Sequence, residues 1–161
     1  MIVIVMGVVG AGKSTIGRML AAALHCEFFD ADDFHPASNV EKIRRGISLT
    51  DADRAPWLAR LREAITELIS GQQNAVLACS ALKRSYRDQL AVSSEVKFVY
   101  LKGTSALIAE RLRARHGHFA DEQILSSQFA DLEEPNEAIA VDIAAAPSEI
   151  VEKIRKQLGF G

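Results

Sequence analysis

The sequence predicts an α/β fold, a parallel sheet with helices on both faces, and three observations carry that expectation. Short apolar runs recur at Ile2 to Val5, Glu27 to Phe29, Ala75 to Cys79, Val96 to Leu101 and Ile139 to Ile143. Helical patterns fill the stretches between them. The first run is apolar and β-branched on successive residues, which suits a strand covered on both faces. Alternation of this kind marks a doubly wound sheet, here three layers around five strands, in which ligands bind beyond the carboxyl ends of the strands. One domain over residues 1–161 is expected.

The first strand runs directly into "GVVGAGKST", Gly7 to Thr15, which fits the phosphate-cradling pattern G-x-x-x-x-G-K-[ST]. After Lys13, Ile16, Leu20 and Leu24 recur every four residues, as one face of a helix does. Strand, loop and helix therefore follow in the order that the pattern requires. Gly7, Gly10 and Gly12 allow successive amides, including those of Val8, Val9 and Ala11, to turn inward around phosphate oxygens. The first helical turn adds unpaired donors and the positive end of a dipole. Lys13 can reach the β- and γ-phosphates of a nucleotide, and the Ser14 hydroxyl can ligate a bridging Mg²⁺.

Composition narrows the class. Apolar residues make up 48% of the 161 and charged residues 25%, ordinary values for a soluble globular protein. A formal net charge of -2 argues against nucleic-acid binding through bulk positive charge. The N-terminal apolar run lacks a basic leader, and no stretch approaches membrane-spanning length. Cys26 and Cys79 have no metal-ligand spacing, as expected of reduced thiols in the cytoplasm.

The polar residues at the strand ends supply the candidate chemistry. In "FFDADDFHP", Asp30 and Asp32 point the same way if extended backbone continues, one to hold Mg²⁺ and the other to accept a proton from an attacking hydroxyl. The alternative is an Asp-rich turn capping the helix near Pro36. In "ACSALKRSYRDQL", Ser80 opens into the crevice, while Lys83 and Arg87 lie four apart on one helical face and could hold an anionic substrate group. Arg54 precedes an amphipathic helix whose face is Trp57, Leu61, Ile65, Leu68 and Ile69, with Pro56 in its first turn and Thr50 and Asp53 as a capping-box-like pair. His35 and Lys42 are further candidate substrate contacts, ambiguous because structural roles fit them as well. Arg111 and Arg115 share a helical face ahead of "HGH", as a lid over a transferring phosphoryl group would place them; a lid is expected around residues 113–128. Cations at a helix C-terminus are the plain alternative.

Taken together, "MGVVGAGKST", "FFDADDFHP", "NVEKIRRGISLTDADRAPWL", "CSALKRSYRDQL", "FVYLKG" and "RARHGHFA" followed by "SQFADLEEP" closely resemble the bacterial-type gluconokinases of the P-loop small-molecule kinases. The likeness runs in order over nearly the whole chain. It implies a nucleoside-monophosphate-kinase-like fold with a mobile lid, transfer of a phosphoryl group from ATP to the 6-hydroxyl of D-gluconate, a Mg²⁺ requirement and commonly a homodimer. By likeness to shikimate kinases, Asp30 falls near the metal and Asp32 near the substrate hydroxyl. Arg54, Lys83 and Arg87 become candidates for the gluconate carboxylate and hydroxyls. The adenine would lie near the lid arginines and the turn from Ala144 to Pro147. Shikimate kinases typically carry a triple glycine after the third strand, where this chain has "CSALK". A kinase for another small hydroxy acid such as shikimate, or a nucleotide-binding module without catalysis, are the rival readings.

Overall fold

The computed structural model describes residues 1–116 and 119–161. Five strands, β1 (Ile2–Met6), β2 (Glu27–Asp30), β3 (Ala75–Ala78), β4 (Val96–Lys102) and β5 (Ile139–Asp142), form one parallel sheet in the order β2-β3-β1-β4-β5. Between them run α1 (Lys13–Ala23), a 3-10 helix (Ala31–Phe34), α2 (Ala37–Arg44), α3 (Asp51–Ser70), α4 (Arg84–Leu90), α5 (Ser105–His116) and α6 (Phe119–Asp131), and α7 (Pro147–Gln157) follows β5. The expected strands all form, with ends that differ by a residue or so.

Period-two alternation along each strand divides the core in two. From β1, Val3 and Val5 enter one cluster with Ile16 and Leu20 of α1, Ile108 and Leu112 of α5, Leu125 of α6 and Ile154 of α7. Ile2, Ile4 and Met6 enter the other, with Trp57, Leu61 and Ile65 of α3 and Tyr86 and Leu90 of α4. Both faces of the central strand are thus covered, which is why its sequence is apolar throughout rather than alternating. The chain leaves β1 between its neighbours β3 and β4. The crevice opens there, at the carboxyl ends of the strands.

Two local expectations are corrected. The extended backbone does not continue from Asp30 to Asp32: Asp30 caps the 3-10 helix, accepting the Asp32 amide at 3.0 Å. Asx capping of a tight turn prevails over strand continuation. Pro56 lies inside α3 rather than in its first turn, because the Thr50–Asp53 capping box starts the helix at Asp51.

Candidate active site

The phosphate loop is built by backbone conformation. Gly12 is the N-cap of α1 with φ +96°, and Gly10 has φ +79°, both in the left-handed region that favours glycine. A Cβ on Gly10 would also come within 2.8 Å of the Leu112 side chain, so α5 packs directly on the loop. The amides of Lys13, Ser14 and Thr15 begin α1 and have no intrahelical acceptor, leaving donors and the positive dipole end aimed at the crevice. Lys13 Nζ donates to the Val8 carbonyl at 3.0 Å, folded back along the rim of the loop. Burial pulls its pKa down, against the opposing attraction of Asp32 and Asp30.

Facing the loop across a cavity of about 230 Å³ are Asp30, Asp32, Cys79 and Ser80, with Arg115 and Gln128 at the other side. The Ser14 hydroxyl donates to Asp30 Oδ2 at 3.3 Å. These are hard oxygen donors on adjoining elements, which fits Mg²⁺, an ion that takes one or two protein ligands and fills its remaining positions with phosphate and water. No cluster of three or more His, Cys, Asp or Glu residues able to hold a metal exists among the described residues. Asp32 lies deeper. Burial raises its pKa, the Asp30 charge raises it further, and Lys13 and His35 counteract.

Support for Asp32 comes from behind. Trp57 Nε1 donates to the Ala31 carbonyl at 2.7 Å and its ring stacks on His35 at 4.5 Å. Asn39 Nδ2 donates to the Asp53 carbonyl at 2.7 Å and lies 3.2 Å from His35 Nδ1. An amide N–H₂ facing Nδ1 requires that nitrogen to accept, which leaves the ring proton on Nε2. Burial lowers the His35 pKa, in keeping with that neutral form. Lys42 Nζ reaches both carboxylate oxygens of Asp53 at 2.8 and 2.9 Å, and this contact is the main cause that holds Asp53 down at about 2. The pair ties α2 to the start of α3, a task the sequence reading did not give to Lys42.

The remaining cations separate. Arg54 donates to the Tyr86 hydroxyl at 3.1 Å, and both its guanidinium and Lys83 Nζ lie 5.6 Å from the Tyr86 ring centroid. The Tyr86 hydroxyl donates to Asp51, which also accepts from Lys83 at 3.1 Å. Tyr86 thus gathers Arg54 and Lys83 at one place. Arg87 does not join them, which corrects the expectation that it shares a substrate-facing helical face with Lys83. Lys83 is the N-cap of α4, and Arg87, only 7% exposed, donates to the carbonyls of Ala81, Leu82 and Glu133 at 2.7, 2.9 and 2.6 Å. It fastens the loop after β3 to the chain end of α6.

A second cavity of about 420 Å³ adjoins the first, sharing Gly10, Gly12, Thr15 and Arg115. Ile143, Ala145, Pro147 and Ile150 give it an apolar wall, and Arg111 and Arg115 stand at its side. Arg111 donates to the Ile143 carbonyl at 2.7 Å. The expected lid over 113–128 is only partly covered, since residues 117 and 118 lie outside the described residues. Sequence reasoning missed Gln128, Asp51 and Tyr86. A glutamine has no motif spacing to betray it, and a tyrosine on an apolar helix face reads as core.

A phosphate cradle at the head of α1, a polar cavity on one side of it and an apolar one on the other define a P-loop phosphotransferase. The sequence profile of the shikimate kinase family matches residues 9–158. A gluconokinase of Gluconobacter oxydans is 43% identical, over 94% of this chain and 87% of its own. One of Arabidopsis thaliana is 41% identical over 95% and 89%. The crystal structure of a gluconokinase from Sinorhizobium meliloti superposes with a TM-score of 0.84 at 40% identity, covering 98% of this chain and 95% of its own. The chain belongs to the gluconokinases of the shikimate kinase family.

Proposed function

We propose that the protein is an ATP-dependent gluconokinase, which transfers the γ-phosphoryl group of ATP to the 6-hydroxyl of D-gluconate and releases ADP and 6-phosphogluconate. The observation that carries the reading is the placement of Lys13 and Asp32 on one cavity that opens into a second, apolar one. The apolar cavity takes the adenosine. The triphosphate lies along the loop from Gly7 to Thr15 and meets the unpaired amides at the head of α1, with Lys13 swinging from the Val8 carbonyl to the β- and γ-phosphates. Ser14 and Asp30 would hold Mg²⁺, which supplies neutralisation of charge on the phosphate oxygens.

The 6-hydroxyl oxygen attacks the γ-phosphorus, the bond from that phosphorus to the β–γ bridging oxygen breaks, and the hydroxyl proton passes to Asp32. The raised pKa of Asp32 suits a proton acceptor. Arg115, which lines both cavities, and Arg111, at the side of the apolar one, would spread the charge that develops on the transferring group. Ser80 lines the acceptor side. Arg54 and Lys83, gathered by Tyr86, take the substrate carboxylate, and His35 and Lys42 hold the acceptor wall in shape. A single chain of 161 residues forms the catalytic domain, and a cytoplasmic homodimer accords with the family likeness.

A panel of acceptors assayed for ADP release tests the substrate. Gluconate-dependent ADP production with 6-phosphogluconate as product is expected, well above that with shikimate. Turnover with shikimate alone assigns the chain to the other hydroxy-acid kinases, and nucleotide binding without any acceptor-dependent turnover makes it a non-catalytic module.

A further inference from the structure

The phosphate cavity contains a long polar side chain with no place in the mechanism above. Gln128, on α6, lines that cavity together with Lys13, Asp32 and Arg115. Its Oε1 accepts the backbone N–H of Val9 at 2.6 Å, a contact spanning 119 residues of sequence. An N–H can only be met by the carbonyl end of the amide, so the Nε2 end is left with two donors to offer. We infer that Gln128 is a terminal-phosphate contact: its Oε1 stays on the Val9 amide while its Nε2 donates to a γ-phosphate oxygen, so that α6 reads whether the nucleotide is a triphosphate.

Three observations support this. The side chain starts from an anchored helix. Leu125 is buried in the core, Phe129 packs against it, and the segment just beyond α6 is clamped where the Glu133 amide donates to the Leu82 carbonyl at 2.9 Å and Arg87 donates to the Glu133 carbonyl. Such a mounting holds a donor in place before the ligand arrives, which is what electrostatic preorganisation requires. Val9 also precedes Gly10 and Gly12, so its amide lies at the end of the cradle away from the helix start, and Gln128 shares the cavity with the carboxylates facing the loop rather than with the apolar one beyond it. Finally, a primary amide is neutral. It can sit beside Lys13 and Arg115 without repelling them, and beside Asp32 without favouring its protonation.

The inference rests on the nucleotide reading but not on the acceptor, so its test needs no sugar acid. Calorimetry would compare Mg²⁺ complexes of a non-hydrolysable ATP analogue and of ADP on the wild-type protein, Gln128→Ala and Gln128→Glu. Loss of a hydrogen bond to a charged group predicts that Gln128→Ala binds the triphosphate about tenfold or more weakly, with ADP affinity changed less than about twofold. Gln128→Glu keeps an oxygen for the Val9 amide but presents a carboxylate to the phosphate, and loses more triphosphate affinity than the alanine variant while ADP again changes little. Because it preserves the loop contact, it carries the test even if Gln128→Ala melts at a lower temperature. Equal weakening of both nucleotides would reduce Gln128 to a brace of the loop and overturn the inference. Unchanged or tighter triphosphate binding would show the side chain merely displaced, and overturn it as well. A wild-type protein without affinity for either nucleotide ends the nucleotide reading itself, a separate and distinguishable failure.

Discussion

Lys13 and Asp32 carry opposite demands on one small cavity. Burial drives both toward their neutral forms, while each stabilises the charge of the other. Lys13→Ala removes the point charge from the phosphates and leaves a surface loop otherwise intact, so turnover should fall at least about a thousandfold with an unchanged circular dichroism spectrum. For Asp32 the sign of the pH effect follows from its direction of shift. A carboxyl whose folded pKa is raised must lose its proton before it can accept one. The acid limb of kcat/KM should therefore lie above the ordinary carboxylate value near 4, with activity falling as pH drops through it. In Asp32→Asn that limb should vanish along with about a hundredfold or more of kcat; a limb that persists would belong to another group. Arg54→Ala and Lys83→Ala should each raise the KM for gluconate while leaving the KM for ATP close to the wild-type value, a split read from steady-state kinetics.

Elements place these residues, and their legibility differs for physical reasons. The loop and α1 could be read because a glycine-rich turn between a strand and a helix has few alternatives. The β1 strand was equally plain, because a short run of successive apolar residues suits a strand covered on both faces. Asp30 and Asp32 were found as a pair but with the wrong backbone between them, because a capping carboxylate outcompetes strand extension and nothing in the pattern says which prevails. Arg87 was misplaced since helical spacing gives the direction of a side chain but not the carbonyls that await it. Those carbonyls make a prediction. Arg87→Met leaves two buried acceptors and one part-buried acceptor without their donor, at a cost of about 3 kcal/mol, so the melting temperature should drop by about 6–12 °C. Gly10→Ala meets both a left-handed φ and the Leu112 side chain, and should abolish nucleotide binding by displacing the loop from α5.

Across the whole molecule the sheet order sets everything else. Because β1 lies between β3 and β4, its loop emerges where the chain ends of β2 and β3 deliver Asp30, Asp32 and Ser80 to one side and the end of β5 delivers Ile143 and Ala145 to the other. In the proposed function nucleotide and acceptor would meet over this single phosphate cradle, where Gln128 of α6 bonds the loop. Titrating Mg²⁺–ATP into the wild-type protein and Lys13→Ala by calorimetry tests that arrangement most directly. Saturable binding at one site per chain, weakened strongly by the substitution, is the predicted result; a folded wild-type chain that takes up no heat on addition of nucleotide, or a Lys13→Ala protein that binds it equally well, would contradict the account.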